Sequence, residues 1–249
     1  MKAINISAPV LKRLVILDIL EHKDSFHDCE IKVHKDSFHD CEIKVYAESL
    51  VSLELDCNMA YELSLYNMFS LFNASIDICS TRKIGQRVDK LLKAICDVKD
   101  LRLSDDSIEV GLTENLLKFS NLKYVRLSMG VDLFNGEYLT ELLHYFPNME
   151  CLLIDYGLGV CEFEEDGVTD QATPRDFLSN LKSVEVWEFS GSKNELCFLK
   201  FLLKNTRALE TMTTISSSEL LSDPDKQLEV TKKLLMVPKG SMHSVIDIS

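Results

Sequence analysis

The sequence predicts an α/β protein: a solenoid of leucine-rich repeats, with a curved parallel sheet and irregular outer helices, ending in a strand-helix-strand-helix-strand unit. Three observations predict it. A triplet of apolar residues at relative positions 0, +3 and +5 recurs along the chain. The recurrences are spaced about one leucine-rich repeat apart. The last quarter alternates two well-capped helical segments with strand-like ones. With 249 residues, 46% of them hydrophobic, the chain can bury a sizeable core.

The triplets read "LKRLVI" from Leu11, "LVSLEL" from Leu50, "VKDLRL" from Val98, "LKYVRL" from Leu122, "MECLLI" from Met149 and "LKSVEV" from Leu181. A weaker copy, "LFNASI", starts at Leu71, and "LETMTTI" from Leu209 carries the pattern loosely. The starts are therefore spaced by 39, 21, 27, 24, 27, 32 and 28 residues. Leucine-rich repeats run about 20 to 29 residues, so the first spacing stands out. It contains a tandem duplication, because residues 22–33 and 34–45 both read "HKDSFHDCEIKV". Removing one copy brings 39 down to 27, so the period needs only one of them. Positions +3 and +5 point to the same side of a strand, into a core that one repeat cannot close alone.

Lengthening a surface loop by twelve residues costs only about half a kcal/mol in closure entropy. Losing one strand's apolar contacts costs several times that. The expectation is one copy held in register and the other looped out, or a hairpin-like excursion at one edge. Twelve is even, so both copies keep the same inward and outward residues, and local sequence does not choose between them. Deleting residues 22–33 is then expected to leave stability unchanged or slightly raised.

Between the strands the returns read as partly helical. "NGEYLTELLHYFP" puts Tyr138, Leu139, Leu142, Leu143 and Phe146 on one face and stops at Pro147. "LTENLLKFS" offers a shorter helix capped by Thr113. "SKNELCFLKFLLKN" has Ser192 and Glu195 at capping-box spacing, with Leu196, Leu199, Leu202 and Leu203 apolar and Asn205 near its end. "DPDKQLEVTKKLLMVP" begins with Asp223 as cap and Pro224 at the first helical position, and stops at Pro238. "SVIDIS" reads as a closing strand.

Forty acidic against 27 basic residues give a formal charge of −13, a field that repels phosphate backbones, so no nucleic-acid partner is expected. The basic stretch "RKIGQRVDKLLK" (Arg82, Lys83, Arg87, Lys90, Lys93) lacks interleaved aromatics and reads as a solvated helix face or loop. No window offers the roughly 20 uninterrupted apolar residues of a membrane span, and no secretory leader is apparent. The eight cysteines are spread widely, which fits reduced thiols and a cytoplasmic or nuclear location.

Each duplicated copy reads H-x4-H-x-C (His22, His27, Cys29; His34, His39, Cys41), a set of zinc-ligand types. The competing reading of "CEIKV" is a half-buried strand with Cys, Ile and Val inward, and it is preferred, with zinc binding a distant alternative. There is no P-loop, G-x-S-x-G or H-E-x-x-H, so no catalytic, cofactor or metal residues are assigned and no enzyme is expected. Candidate protein-contact residues are the acidic loop (Glu162, Glu164, Glu165, Asp166) and the chain's one tryptophan, Trp187. The loop also reads as a solvated insertion, and Trp187 as either an interface aromatic or a partly buried one.

The stretch "LKSVEVWEFSGSKNELCFLKFLLKNTRALETMT" resembles the FBD domain of plant F-box proteins with leucine-rich repeats, through Leu181, Val184, Glu185, Phe189, Gly191, Glu195, Leu199 and Leu203. "KKLLMVPKGSMHSVIDIS" resembles that family's ending, and "ISAPVLKRLVI" and "VYAESLVSLEL" its repeat units. The resemblance implies repeats over 1–177 and an FBD domain over 178–249. It also implies recognition of a protein substrate. No F-box is matched, so direct contact with a cullin adaptor is not expected. The function expected is a non-enzymatic interaction module resembling the substrate-recognition portion of a ubiquitin-ligase receptor. The alternatives are the C-terminal part of a complete receptor, or a degenerate gene product.

Overall fold

The computed structural model describes residues 2–17, 30–34, 41–59, 61–78, 84–111, 117–128, 141–155, 178–242 and 244–249. The protein is α/β with parallel sheets and divides into two compact units, Met1–Asn121 and Leu122–Ser249.

In the first unit the chain alternates between two sheets. The strands are β1 (Lys2–Ser7), β2 (Arg13–Leu17), β3 (Glu30–His34), β4 (Cys41–Tyr46), β5 (Ser52–Cys57), β6 (Glu62–Tyr66), β7 (Asn73–Ile78) and β8 (Asp100–Ser104). One sheet has the order β1-β4-β6 and the other β3-β2-β5-β7-β8, every pair parallel. The triplets supply the second sheet. Leu14 lies opposite Leu53, Leu53 opposite Ala74 and Ala74 opposite Leu101, all at +3, and the +5 residues Ile16, Leu55, Ile76 and Leu103 form the next row. All of these side chains are buried. Each position-0 residue closes a tight lead-in turn: the Leu11, Leu50 and Leu71 amides donate to the carbonyls of Ala8, Ala47 and Met68, each at 3.1 Å.

Irregular helices were expected outside this sheet, and the first repeats instead use a second parallel sheet. The reason is local: "CEIKVY" buries Cys41, Ile43 and Val45 and turns Glu42, Lys44 and Tyr46 outward, a period of two that suits a strand. Tyr46 stacks on Tyr66 of the neighbouring strand at 4.7 Å between ring centroids. Helices enter afterwards. Helix α1 (Gly85–Ala94) buries Val88, Leu91 and Leu92, and its cations are used internally. The Arg87 guanidinium donates to the Met59 carbonyl at 2.7 Å, and Lys90 pairs with Glu62. Helix α2 (Asp105–Gly111) is tied to β7 by Ser107, whose buried hydroxyl donates to the Ile76 carbonyl and accepts from the Ile78 amide.

The duplication departs from expectation. Neither copy is wholly looped out: "EIKV" of the first lies in β3, and "CEIKV" of the second lies in β4, in the other sheet. Five residues separate β4 from β5, which ties the second copy to the repeat that follows. The first copy leads through six residues into β4, and β3 pairs with β2 at the end of its sheet among the described residues. The side chains of His22, His27, Cys29, His34 and His39 lie outside the described residues. Cys41 faces the core.

The second unit has the strand order β9-β10-β11-β12-β13, again parallel, with β9 (Tyr124–Ser128), β10 (Cys151–Asp155), β11 (Ser183–Phe189), β12 (Thr211–Ser216) and β13 (Val245–Ile248). The +3 row is Val125, Leu152, Val184 and Met212, and the +5 row is Leu127, Ile154, Val186 and Thr214, all buried. Thr214 explains why the last triplet looked loose: it fills a core position, and its hydroxyl meets no partner among the described residues.

Helix α3 (Lys193–Asn205) has the expected capping box. The Ser192 hydroxyl accepts from the Glu195 amide, and the Glu195 carboxylate accepts from the amides of Ser190 and Ser192 and from the Ser190 hydroxyl. Glu195 is 1% exposed, so this acid is a structural clamp. Gly191 precedes it at φ +69°, where a Cβ would stand 2.7 Å from Val230 Cγ2, and only glycine fits. Helix α4 (Ser218–Leu221) was not foreseen, whereas α5 (Pro224–Leu235) begins where Asp223 and Pro224 placed it. Of the return at residues 135–147, Leu142, Leu143 and Phe146 are buried, and Tyr138 and Leu139 lie outside the described residues. Thr113 does too.

Candidate protein-interaction surface

In the second unit the even offsets of each repeat, +2, +4 and +6, form the sheet's outward face. Register sets the rows: Tyr124, Cys151, Ser183 and Thr211 at +2, then Arg126, Leu153, Glu185 and Thr213 at +4. Ser128 and Asp155 pair at +6. Trp187 is the +6 residue of β11, and a bulge places it.

Strict alternation through "SVEVWEF" would bury Glu188 with Val184 and Val186 and expose Phe189. Instead the register shifts after Val186, with Glu188 at φ +53° supplying the extra residue. Phe189 returns to the core at 0% exposure, and Trp187 and Glu188 both stay out.

Trp187 is half-buried and ordered from two sides. The Arg126 guanidinium lies over its ring, 4.9 Å from the centroid, and its indole N–H donates to Glu185. Arg126 is held in turn by Asp155, with Nε to Oδ2 at 2.6 Å and Nη2 to Oδ1 at 3.0 Å. The Ser128 hydroxyl donates to the same carboxylate at 3.0 Å. Asp155 is 3% exposed, so this bidentate pair fixes the guanidinium plane from within the sheet. Tyr124 (50% exposed) and Ile215 (39%) add apolar surface to the same outward face.

Just before the strands the charges alternate: Lys123, Glu150, Lys182, Glu210. Glu150 receives Lys123 on one oxygen and Lys182 on the other, each at 2.7 Å. Those two hydrogen bonds hold its carboxyl down at about 2. A depressed carboxylate adds stability that is complete above the ordinary glutamate range near pH 4 and is lost as pH falls toward about 2. Titration of the Glu150 side-chain carboxyl by NMR is expected to show a midpoint at least one unit lower than in a Lys123→Ala, Lys182→Ala variant.

The FBD family model matches residues 171–213. Relatives of the chain carry the same domain names. Over those matched residues the chain carries an FBD domain, and it is similar to plant FBD-containing F-box/LRR-repeat proteins. An F-box/FBD/LRR-repeat protein of Arabidopsis thaliana is 31% identical over 159 residues, 62% of this chain and 36% of that protein. An FBD-associated F-box protein of the same plant is 26% identical over 189 residues, 72% of this chain and 38% of that protein. The chain thus spans little more than a third of these relatives' lengths. No solved structure matches.

Within the FBD match lie β11, α3 and the start of β12. Its motif residues divide by role. Leu181, Val184, Phe189, Leu199 and Leu203 are core, Gly191 makes the turn, Glu195 clamps it, and Glu185 faces outward as the acceptor for Trp187. Of the candidate contact residues, the structure builds a site around Trp187 alone. Glu162, Glu164, Glu165 and Asp166 lie outside the described residues. Sequence reading missed Arg126, Ser128, Asp155 and Tyr124. The available sign was opposite charge at +4 and +6 of consecutive repeats, "LKYVRLS" and "MECLLID".

Proposed function

We propose that this chain is a non-enzymatic protein-interaction module, equivalent to the substrate-recognition part of an F-box ubiquitin-ligase receptor, acting in the cytoplasm or nucleus. Its contact surface is the outward face of β9 to β12. The observation that carries the reading is Arg126 stacked on Trp187 and locked by buried Asp155, because preordered Trp, Tyr and Arg side chains dominate protein interfaces. The fold behind it is read as a leucine-rich-repeat solenoid closed by the FBD unit. In-register stacking of the triplets within each unit supports that reading.

The test is affinity capture from plant extract with the wild-type chain and with a Tyr124→Ala, Trp187→Ala variant, followed by direct titration of each protein recovered. Partners specific to this face are expected to lose at least tenfold in affinity, with the unfolding midpoint nearly unchanged. Equal binding by both forms sinks the proposal.

The relatives' lengths favour a second reading, in which the chain is the C-terminal part of a complete ubiquitin-ligase substrate receptor. Sequencing the native transcript from its 5′ end tests it: an in-frame F-box upstream of Met1 is the expected result.

A further inference from the structure

We infer that the first copy of the duplicated segment is a built-in cap for the edge of the larger sheet in the first unit. Three observations carry this. First, β3 is the terminal strand of that sheet among the described residues, and its register continues the repeat: Ile31 lies opposite Leu14 and Val33 opposite Ile16, extending the +3 and +5 rows by one strand. Second, the copies are identical yet occupy different sheets: the second pairs on both sides, with β1 and β6, whereas the first follows a twelve-residue link from β2 and pairs with β2 alone among the described residues. The first is the one able to serve an edge.

Third, the cap changes the character of that edge. Without it the terminal strand is β2, "RLVIL", in which four of five residues are apolar. Such a strand, with its amides and carbonyls unpaired, is a template for another chain. With the cap the terminal strand is "EIKVH", charged at alternate positions, as protected edges are. The segment thus closes a strand-accepting edge against a second copy of the chain.

The test uses the full chain with Ile31→Pro and Val33→Pro, which removes two backbone donors from β3, and a synthetic peptide of residues 28–34. The variant is expected to bind the labelled peptide saturably, at least tenfold tighter than wild type, and to self-associate with concentration where wild type stays monomeric. Equal peptide binding by the two forms, or a monomeric variant with the wild-type unfolding midpoint, overturns the inference. A second measurement needs no variant. The amides of Ile31 to Val33 and of Ile43 to Val45 have identical neighbours and hence identical intrinsic exchange rates. In wild type, hydrogen exchange by NMR is expected to show those amides of Ile31 to Val33 that face β2 protected, but at least tenfold less than their counterparts in Ile43 to Val45. Exchange of those β2-facing amides at the unprotected rate overturns the inference as well.

Discussion

Replacing Glu195 by alanine is expected to lower the stability of the second unit by about 4 kcal/mol, measured by urea unfolding. The carboxylate is 1% exposed and accepts from the Ser190 amide, the Ser190 hydroxyl and the Ser192 amide. Removing it leaves three donors without an acceptor, and buried orphan donors cost about 1 to 3 kcal/mol each, less where water can enter. It also removes a negative charge from the first turn of α3, where the helix dipole favours one. Glu195→Gln keeps an acceptor oxygen in place and should cost about half as much. Because the turn that Glu195 clamps directly follows the bulge presenting Trp187, the alanine variant is also expected to bind partners more weakly. A loss below about 1 kcal/mol would show that solvent replaces the clamp.

The second large effect is an asymmetry between residues that sequence treats as equal. Ile43→Ala is expected to cost about 3 kcal/mol, the usual range for emptying a fully buried isoleucine site. Ile43 is 1% exposed, on the central strand of its sheet, with Ile4 and Leu63 opposite it. Ile31→Ala, the same substitution in the same twelve-residue context, falls on a terminal strand with one neighbour and should cost about 1 kcal/mol. Thermal unfolding of the two variants side by side decides it, and equal midpoints would mean the copies exchange places. The expectation that deleting residues 22–33 is harmless changes for the same reason. The deletion takes away a paired strand, so the unfolding midpoint should fall.

Much of the fold was legible because its code is short-range. A triplet at 0, +3 and +5 needs only a tight turn and a strand, and every copy does bury its three residues, including Thr214 in the loosest one. Caps were legible for the same reason: Ser192 with Glu195, and Asp223 with Pro224, act within one helical turn. Helices α2 and α4 were missed, and they are only 7 and 4 residues long. Segments so short form through tertiary contacts, such as those of buried Ser107 and Leu220, and leave little periodicity to read.

The contact surface was half legible. Trp187 could be singled out, but its orientation depended on a bulge at Glu188, a backbone irregularity that strict alternation conceals. Arg126 and Asp155 are 29 residues apart, and only the stacking of successive strands brings them to one ion pair.

Sequence by itself determined the repeat, its period, the closing helices and the family resemblance, since each rests on residues within a turn or a strand of one another. Tertiary structure alone decided where the two copies of "HKDSFHDCEIKV" go. Their local preferences are identical, so the choice falls to connectivity: five residues bind the second copy to β5 and place it between β1 and β6, and the first takes the open edge of β2.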